Sequence, residues 1–167
     1  MDRVVERLRV ALVFTMVLFA GSNVLAERVS AAEPAPSARC VAAAYRQFDF
    51  WAGYWDVFDV GSSIPVAHAH IGPILDGVLR EDYQGTDGHK GQSFTIYDAA
   101  RKVWHQSWVT NRGELLEIEG KTENGEIILS GEDRAAGSLV RGTWKRQNGN
   151  VRETAVTSTD GGNTWKP

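Results

Sequence analysis

Beyond residue 53 the chain alternates apolar and polar residues in short runs separated by glycine-rich segments. This is the period of two that sends successive side chains to opposite faces of a strand. In the first run Tyr54, Asp56, Phe58 and Val60 share one face and Trp55, Val57 and Asp59 the other. A second begins at Pro65, with Val66, His68 and His70 opposing Ala67, Ala69 and Ile71, and Gly72-Pro73 is expected to end it. Ile74 to Gln84 sets Leu79, Glu81 and Tyr83 against Val78, Arg80 and Asp82, and Gln92 to Tyr97 sets Phe94 and Ile96 against Ser93, Thr95 and Tyr97. In Val103 to Thr110, Trp104, Gln106 and Trp108 fall on one face, and Val103, His105, Ser107 and Val109 on the other. Glu114 to Gly120, Ile127 to Ser130, Leu139 to Gln147 and Val151 to Ser158 complete the series.

The connections carry turn chemistry: Gly85-Thr-Asp-Gly88, Asp98-Ala-Ala-Arg101, Asn111-Arg-Gly113, Asn124-Gly125 and Asn148-Gly-Asn150. Strands recurring every 8 to 12 residues or so, with no long helical period between them, predict an all-β sandwich or barrel. A dry sandwich would make one face of each strand uniformly apolar. Here aromatics stand beside Gln, His, Thr or Arg on either face, which favours an antiparallel up-and-down barrel with a lumen able to hold a ligand. Upstream, Val41 to Gln47 predicts a short helix over one barrel end, and Phe48, Phe50 and Trp51 predict a helical turn ending at Gly53. After the turn at Asp160 to Gly162, only Asn163 to Lys166 precede Pro167. The returning strand is therefore expected to be a stub, so that either the chain is a truncated version of a longer domain or the barrel is open at that seam and prone to form a homodimer through that edge.

Composition narrows the setting. At 167 residues and 43% hydrophobic content the chain suits one core. A net charge of −3, with Lys and Arg scattered among acids, argues against nucleic acid as a partner. Arg3, Arg7 and Arg9 precede an uncharged run from Val10 to Ala20 and the small-residue site Val24-Leu25-Ala26. That predicts a signal peptide over 1–26, a secreted or periplasmic protein, and no stable membrane insertion after cleavage, the run being too short to span a bilayer. Residues 27–40, with Ala32-Glu-Pro-Ala-Pro-Ser37, read as a flexible linker, and 41–167 as the β-barrel domain. Cys40 follows Arg39 rather than a small residue, which excludes lipidation, and as the single cysteine it has no internal disulfide partner.

Gly53-Tyr54-Trp55 after a helical turn resembles the Gly-x-Trp opening of lipocalins and other calycin barrels, in which the Trp plugs the closed end. Taken with Phe48-Asp-Phe-Trp51, with Tyr97 to Trp108 and with Ser158 to Trp165, it resembles a group of secreted bacterial domains of unknown function. The resemblance covers nearly all of the chain after the leader and implies a calycin-like barrel, but carries over no catalytic residue. Ser158-Thr-Asp-Gly-Gly-Asn-Thr-Trp165 also resembles the Asp-box of sialidase-like propellers. One copy in a chain this short implies a structural turn, with Asp160 accepting local backbone bonds and Trp165 packing beneath.

The density of aromatics beside polar groups points to an exported, non-catalytic binder of a small apolar or amphipathic molecule, with Trp55, Trp104, Gln106, Trp108 and Trp144 as candidate lining residues. The alternatives are a cavity enzyme of isomerase or cyclase type using lumen His68, His70 or His105 as acid or base, and a haem-binding barrel using one of them as axial ligand. His68-Ala-His70 has a spacing that metal sites use, but no third ligand is evident, so neither metal nor cofactor is assigned. Glu117 and Glu119 alternate with Leu116 and Ile118 as a solvated strand face would. The sequence has no Gly-x-Ser-x-Gly elbow, His-Glu-x-x-His motif or phosphate-binding glycine loop.

Overall fold

The computed structural model describes residues 40–167; the signal-peptide reading, and the linker reading up to residue 39, lie outside them. Nine strands follow in chain order: β1 Gly53–Phe58, β2 Pro65–Ile74, β3 Val78–Gly85, β4 Lys90–Asp98, β5 Val103–Thr110, β6 Leu115–Glu123, β7 Glu126–Asp133, β8 Ser138–Gln147 and β9 Asn150–Ser158. They form one antiparallel sheet in the order β1 to β9, each strand beside its neighbours in sequence. The sheet curls into a half-barrel. The up-and-down expectation holds, and past the Asp160 turn the chain returns to β9 through a single bridge, Thr157 to Lys166, with both backbone bonds made at 2.7 and 2.9 Å.

Two short 3₁₀ turns, Ala43–Arg46 and Asp49–Trp51, plug the end of the half-barrel where β1 begins. The core is built on that plug. Phe48 is wholly buried, with ring centroids 5.0 Å from Trp51, 5.5 Å from Trp144 and 5.6 Å from Trp104. Aromatic pairs at these separations add to area burial. Polar ties fix the plug's depth: Gln47 Oε1 accepts from Trp104 Nε1 at 3.1 Å and from Thr122 Oγ1 at 2.9 Å. Trp55 Nε1 donates to the Trp51 carbonyl at 2.8 Å, tying β1 to the plug.

Register puts Trp55, Ala69, Tyr83 and Gly91, then Leu79, Thr95, Gln106, Ile118 and Gly131, on the concave face. Curvature is concentrated at glycines. A Cβ on Gly120 would stand 1.9 Å from the Ile128 carbonyl oxygen, and one on Gly131 2.0 Å from that of Glu117. The backbones of β6 and β7 thus approach at a distance that only glycine permits, the device by which a sheet is bent.

The boundary between β2 and β3 differs from the expectation. Gly72-Pro73 does not end β2, which pairs through Pro73–Leu79 and Ile74–Val78 before turning at Leu75 and Asp76, both at positive φ (48° and 61°). Proline is tolerated because β1 starts opposite Ile71. Residue 73 therefore has a neighbouring strand on one side only, and no ladder bond is lost. The Asn124-Gly125 and Asn148-Gly149 turns adopt the paired positive φ of tight hairpins, as their sequences predict.

Candidate functional site

The interior of β3 to β5 inverts the usual pattern. Ser93 and Thr95 of β4 are fully buried on the concave face, while Phe94 and Ile96 stand on the convex one, 46% and 38% exposed. Buried hydroxyls need partners, and the adjoining strands supply them. Ser93 Oγ donates to Glu81 Oε2 at 2.8 Å, and Gln106 Nε2 donates to Thr95 Oγ1 at 3.0 Å, with a longer contact of 3.4 Å to Ser93 Oγ. Register explains the convergence: Glu81 pairs with Ser93, and Thr95 with Gln106. Burial, chiefly, and then the charge of Glu153 push the Glu81 carboxyl up to about 8, against a smaller opposing effect of the Ser93 bond.

Glu153 comes from the other flank. It pairs with Trp144 across β8 and β9 and shares the concave face with it. Five strands separate β3 from β9 in sheet order, six spacings or roughly 29 Å in a flat sheet at about 4.8 Å each. The curl brings them close enough for Glu153 to be felt at both Glu81 and Tyr83. Glu153 keeps solvent-accessible surface, yet crowding by protein raises its carboxyl above the usual range, an effect opposed by the Trp144 indole. That indole is 3% exposed, and its Nε1 is a buried donor without a hydrogen-bond partner. Glu153 is its neighbour across the β8–β9 ladder.

All five residues expected to line the lumen lie on the concave face, in different states. Trp104 and Trp144 are packed into the plug, 1% and 3% exposed. Gln106 is buried in the polar chain, whereas Trp55 and Trp108 are half-buried. Trp108 meets Tyr83 edge to face at 5.8 Å, so the rings form a wall toward the unplugged end.

The histidines correct the expectation of a histidine-lined lumen. His68 and His70 alternate with buried Ala67, Ala69 and Ile71, and His105 with buried Trp104 and Gln106, so all three face outward. Each is occupied there: His68 with Asp56 at 2.7 Å, His70 stacked on Tyr54 at 4.1 Å, and His105 with Glu119 and Ser107 at 2.8 and 2.9 Å. Glu119 is held in turn by both terminal nitrogens of Arg101, at 2.7 and 2.8 Å. A shallow hollow of about 450 Å³ bordered by Tyr54, Asp56, His68, His70, Asp82 and Gln84 lies over β1 to β3. Among the described residues, no group of three or more His, Cys, Asp and Glu side chains is placed to hold a metal ion.

Glu81 and Glu153 are the residues that sequence reasoning passed over. The signal for Glu81 was present, since it alternates with Arg80 and Asp82 on the face of Leu79 and Tyr83. Glu153 lies among Arg152 and Thr154, and nothing in its neighbourhood marks the inward face. No protein-family model matches the chain, and no curated protein matches it in sequence.

Proposed function

We propose that this is an exported protein that binds a small amphipathic molecule on the concave face of its half-barrel, without acting on it. The observation that carries the reading is the juxtaposition on one face of half-buried aromatic rings, Trp55, Tyr83 and Trp108, with the buried polar chain Glu81–Ser93–Gln106–Thr95. Apolar walls with a few fixed polar groups are the composition of small-molecule sites. A core serving stability alone would gain by replacing that chain with aliphatic residues, because buried polar networks contribute little net stability for their desolvation. The leader supports export to a secreted or periplasmic location. Intrinsic Trp fluorescence titrated with a panel of fatty acids, terpenoids and haem tests the reading. A saturable change that is lost in Trp108→Ala supports it, and a flat response to every compound overturns it.

One observation favours a second reading, a cavity enzyme. A carboxyl that holds its proton to about pH 8 beside a second carboxyl is a general acid in waiting, so this role falls to Glu81 rather than to the outward-facing histidines. Under that reading Glu81→Gln retains ligand binding and abolishes turnover.

A further inference from the structure

On the convex face three side chains form a chain from a hydroxyl to a carboxylate. Ser107 Oγ lies 2.9 Å from His105 Nε2, and His105 Nδ1 lies 2.8 Å from Glu119 Oε1. Strand geometry assembles it, since His105 and Ser107 stand two residues apart on one face of β5, and Glu119 is the β6 partner of His105. Glu119 is fixed by the two terminal nitrogens of Arg101, whose Nε is in turn bonded to Asp98 at 2.6 Å. The Arg101 bonds first, and then that of His105, hold the Glu119 carboxyl below its usual range. An ionised carboxylate only accepts, so a neutral ring here carries its proton on Nδ1 and leaves Nε2 to accept from the Ser107 hydroxyl. Among the described residues, which include all four histidines, only His105 is bonded to both a carboxylate and a hydroxyl. His68 and His89 each meet a carboxylate alone, and His70 a ring. A hydroxyl, a base that reaches it and a third group that orients the base are the parts of nucleophilic acyl transfer, recognised by roles and geometry rather than by a sequence motif.

The neighbouring strands define the substrate. Phe94 and Ile96, 46% and 38% exposed, are the β4 partners of Ser107 and His105, so the inverted pattern of β4 lays an apolar strip along one side of the hydroxyl. On the other side Ser107 faces Glu117 of β6, whose charge disfavours an anionic substrate. We propose that Ser107 and His105, with Glu119 as positioning residue, form a catalytic centre that hydrolyses neutral carboxylic esters, the acyl chain lying over Phe94 and Ile96. This activity is separate from binding in the concavity, and neither depends on the other. Ser107 Oγ attacks the carbonyl carbon while His105 Nε2 takes its proton and the carbonyl π pair moves onto the oxygen. The pair returns, the bond to the alcohol oxygen breaks, and the alcohol leaves with the proton from Nε2, so that Ser107 carries the acyl group. Water then attacks that carbon, giving a proton to Nε2, and the carboxylic acid departs as Ser107 Oγ recovers the proton. Glu119 stabilises the imidazolium formed in each half. The amides of β5 are committed to ladders on both sides, leaving none for the oxyanion, which confines the reaction to esters of good leaving groups such as phenols.

The test incubates the intact protein with p-nitrophenyl esters and, separately, with an alkyl fluorophosphonate, from which an activated serine displaces fluoride to leave a stable adduct that peptide mass spectrometry locates. We expect a single adduct, mapped to Ser107, and p-nitrophenolate release that His105→Ala slows about a hundredfold or more, the contribution of a general base. Glu119→Gln lowers kcat about tenfold or more with KM unchanged, a split that loss of a merely structural tie does not produce. The rate rises about two- to fourfold per added methylene from acetate to hexanoate, and Phe94→Ala flattens that rise. His68→Ala, which removes a histidine bonded to a carboxylate but to no hydroxyl, changes none of these. The mapping needs no variant, so it does not depend on how any substitution folds. Absence of an adduct, an adduct on another residue, or ester hydrolysis that persists in Ser107→Ala overturns the proposal and leaves the three groups as a tie between β5 and β6. None of these results bears on binding in the concavity, which the fluorescence titration decides.

Discussion

Trp108 lies flat over Gly91, so close that a Cβ on that glycine would stand 2.3 Å from the ring carbon Cζ2. The two belong to adjacent strands, Trp108 pairing with Ser93 two residues along, and the missing side chain is what lets the indole lie against the sheet beside Tyr83. Gly91→Ala is expected to lift the ring off the wall at a cost of about 1 to 3 kcal/mol of stability. A red-shifted Trp emission and a lowered urea midpoint check this. If the far-UV and fluorescence spectra are both unchanged, the ring does not depend on Gly91.

Gly120→Ala and Gly131→Ala are expected to be worse, because the obstacle is backbone rather than a movable ring. Each methyl would meet a carbonyl oxygen of the neighbouring strand, at 1.9 and 2.0 Å respectively. Relief requires β6 and β7 to part, so both variants are expected to accumulate unfolded or insoluble. Soluble variants with wild-type urea midpoints would show that the strands have room to separate.

Phe48→Ala empties the centre of the plug, where the ring touches three tryptophans and Phe50. The expected loss is about 3 to 5 kcal/mol. Gln47→Ala leaves the Trp104 and Thr122 donors without their acceptor, for roughly 1 to 3 kcal/mol. Chemical denaturation of both variants measures the two losses and their order.

Stability should depend on pH with opposite signs at two carboxyls. The Glu81 carboxyl is raised from 4.5 to about 8, so between those values the folded protein keeps a proton that the unfolded chain releases. Stability from this group is full below about pH 4.5, falls as pH rises toward 8, and is then flat. Glu81→Gln removes that slope, and the gap between variant and wild-type urea midpoints should shift in the variant's favour from pH 5 to pH 9. Asp160 runs the other way: bonds from Thr164 first, then Ser158, lower its carboxyl to about 2. Its contribution is present above 3.8 and lost as pH falls through about 2. Amide protection at Thr164 should fade over that acid range, and in Asp160→Ala at every pH.

Among the described residues β1 pairs with β2 alone, so its outer edge offers backbone groups to a second copy. A dimer through this edge is expected to appear in sedimentation velocity as concentration rises. Tyr54, 84% exposed on β1, is the position at which Lys should suppress it, as charge does on natural edge strands. A species that stays monomeric throughout refutes the edge pairing.

Strand order, turn chemistry and the sharing of one face by Trp104, Gln106 and Trp108 were legible in the sequence because each depends on spacing alone. The direction of that face was not. Hydrophobicity would send Phe94 and Ile96 inward and Ser93 and Thr95 out, and β4 does the reverse because Glu81 and Gln106 complete the hydroxyls from both sides. That compensation is long-range and invisible to a single strand. The histidines misled for a related reason, since an imidazole beside an alanine reads as lumen or surface equally well until Ala67 and Ala69 are seen buried. Glu153 needed more still, because its nearness to Glu81 exists only once seven strands have curled.

A sheet whose every ladder joins consecutive strands has a kinetic signature. Each hairpin closes a short loop, so β6–β7 across Asn124-Gly125 or β8–β9 across Asn148-Gly149 can form early and recruit neighbours one at a time, with little entropy lost per step. The exception is the plug. Phe48 must find Trp144, and Gln47 must find Thr122, across most of the described chain, and those meetings gain nothing until the strands between have curled. The slow step of folding is thereby assigned to the seating of a dozen residues at the amino-terminal end of the domain. Those same residues, synthesised first, wait unsatisfied until the last hairpin leaves the ribosome.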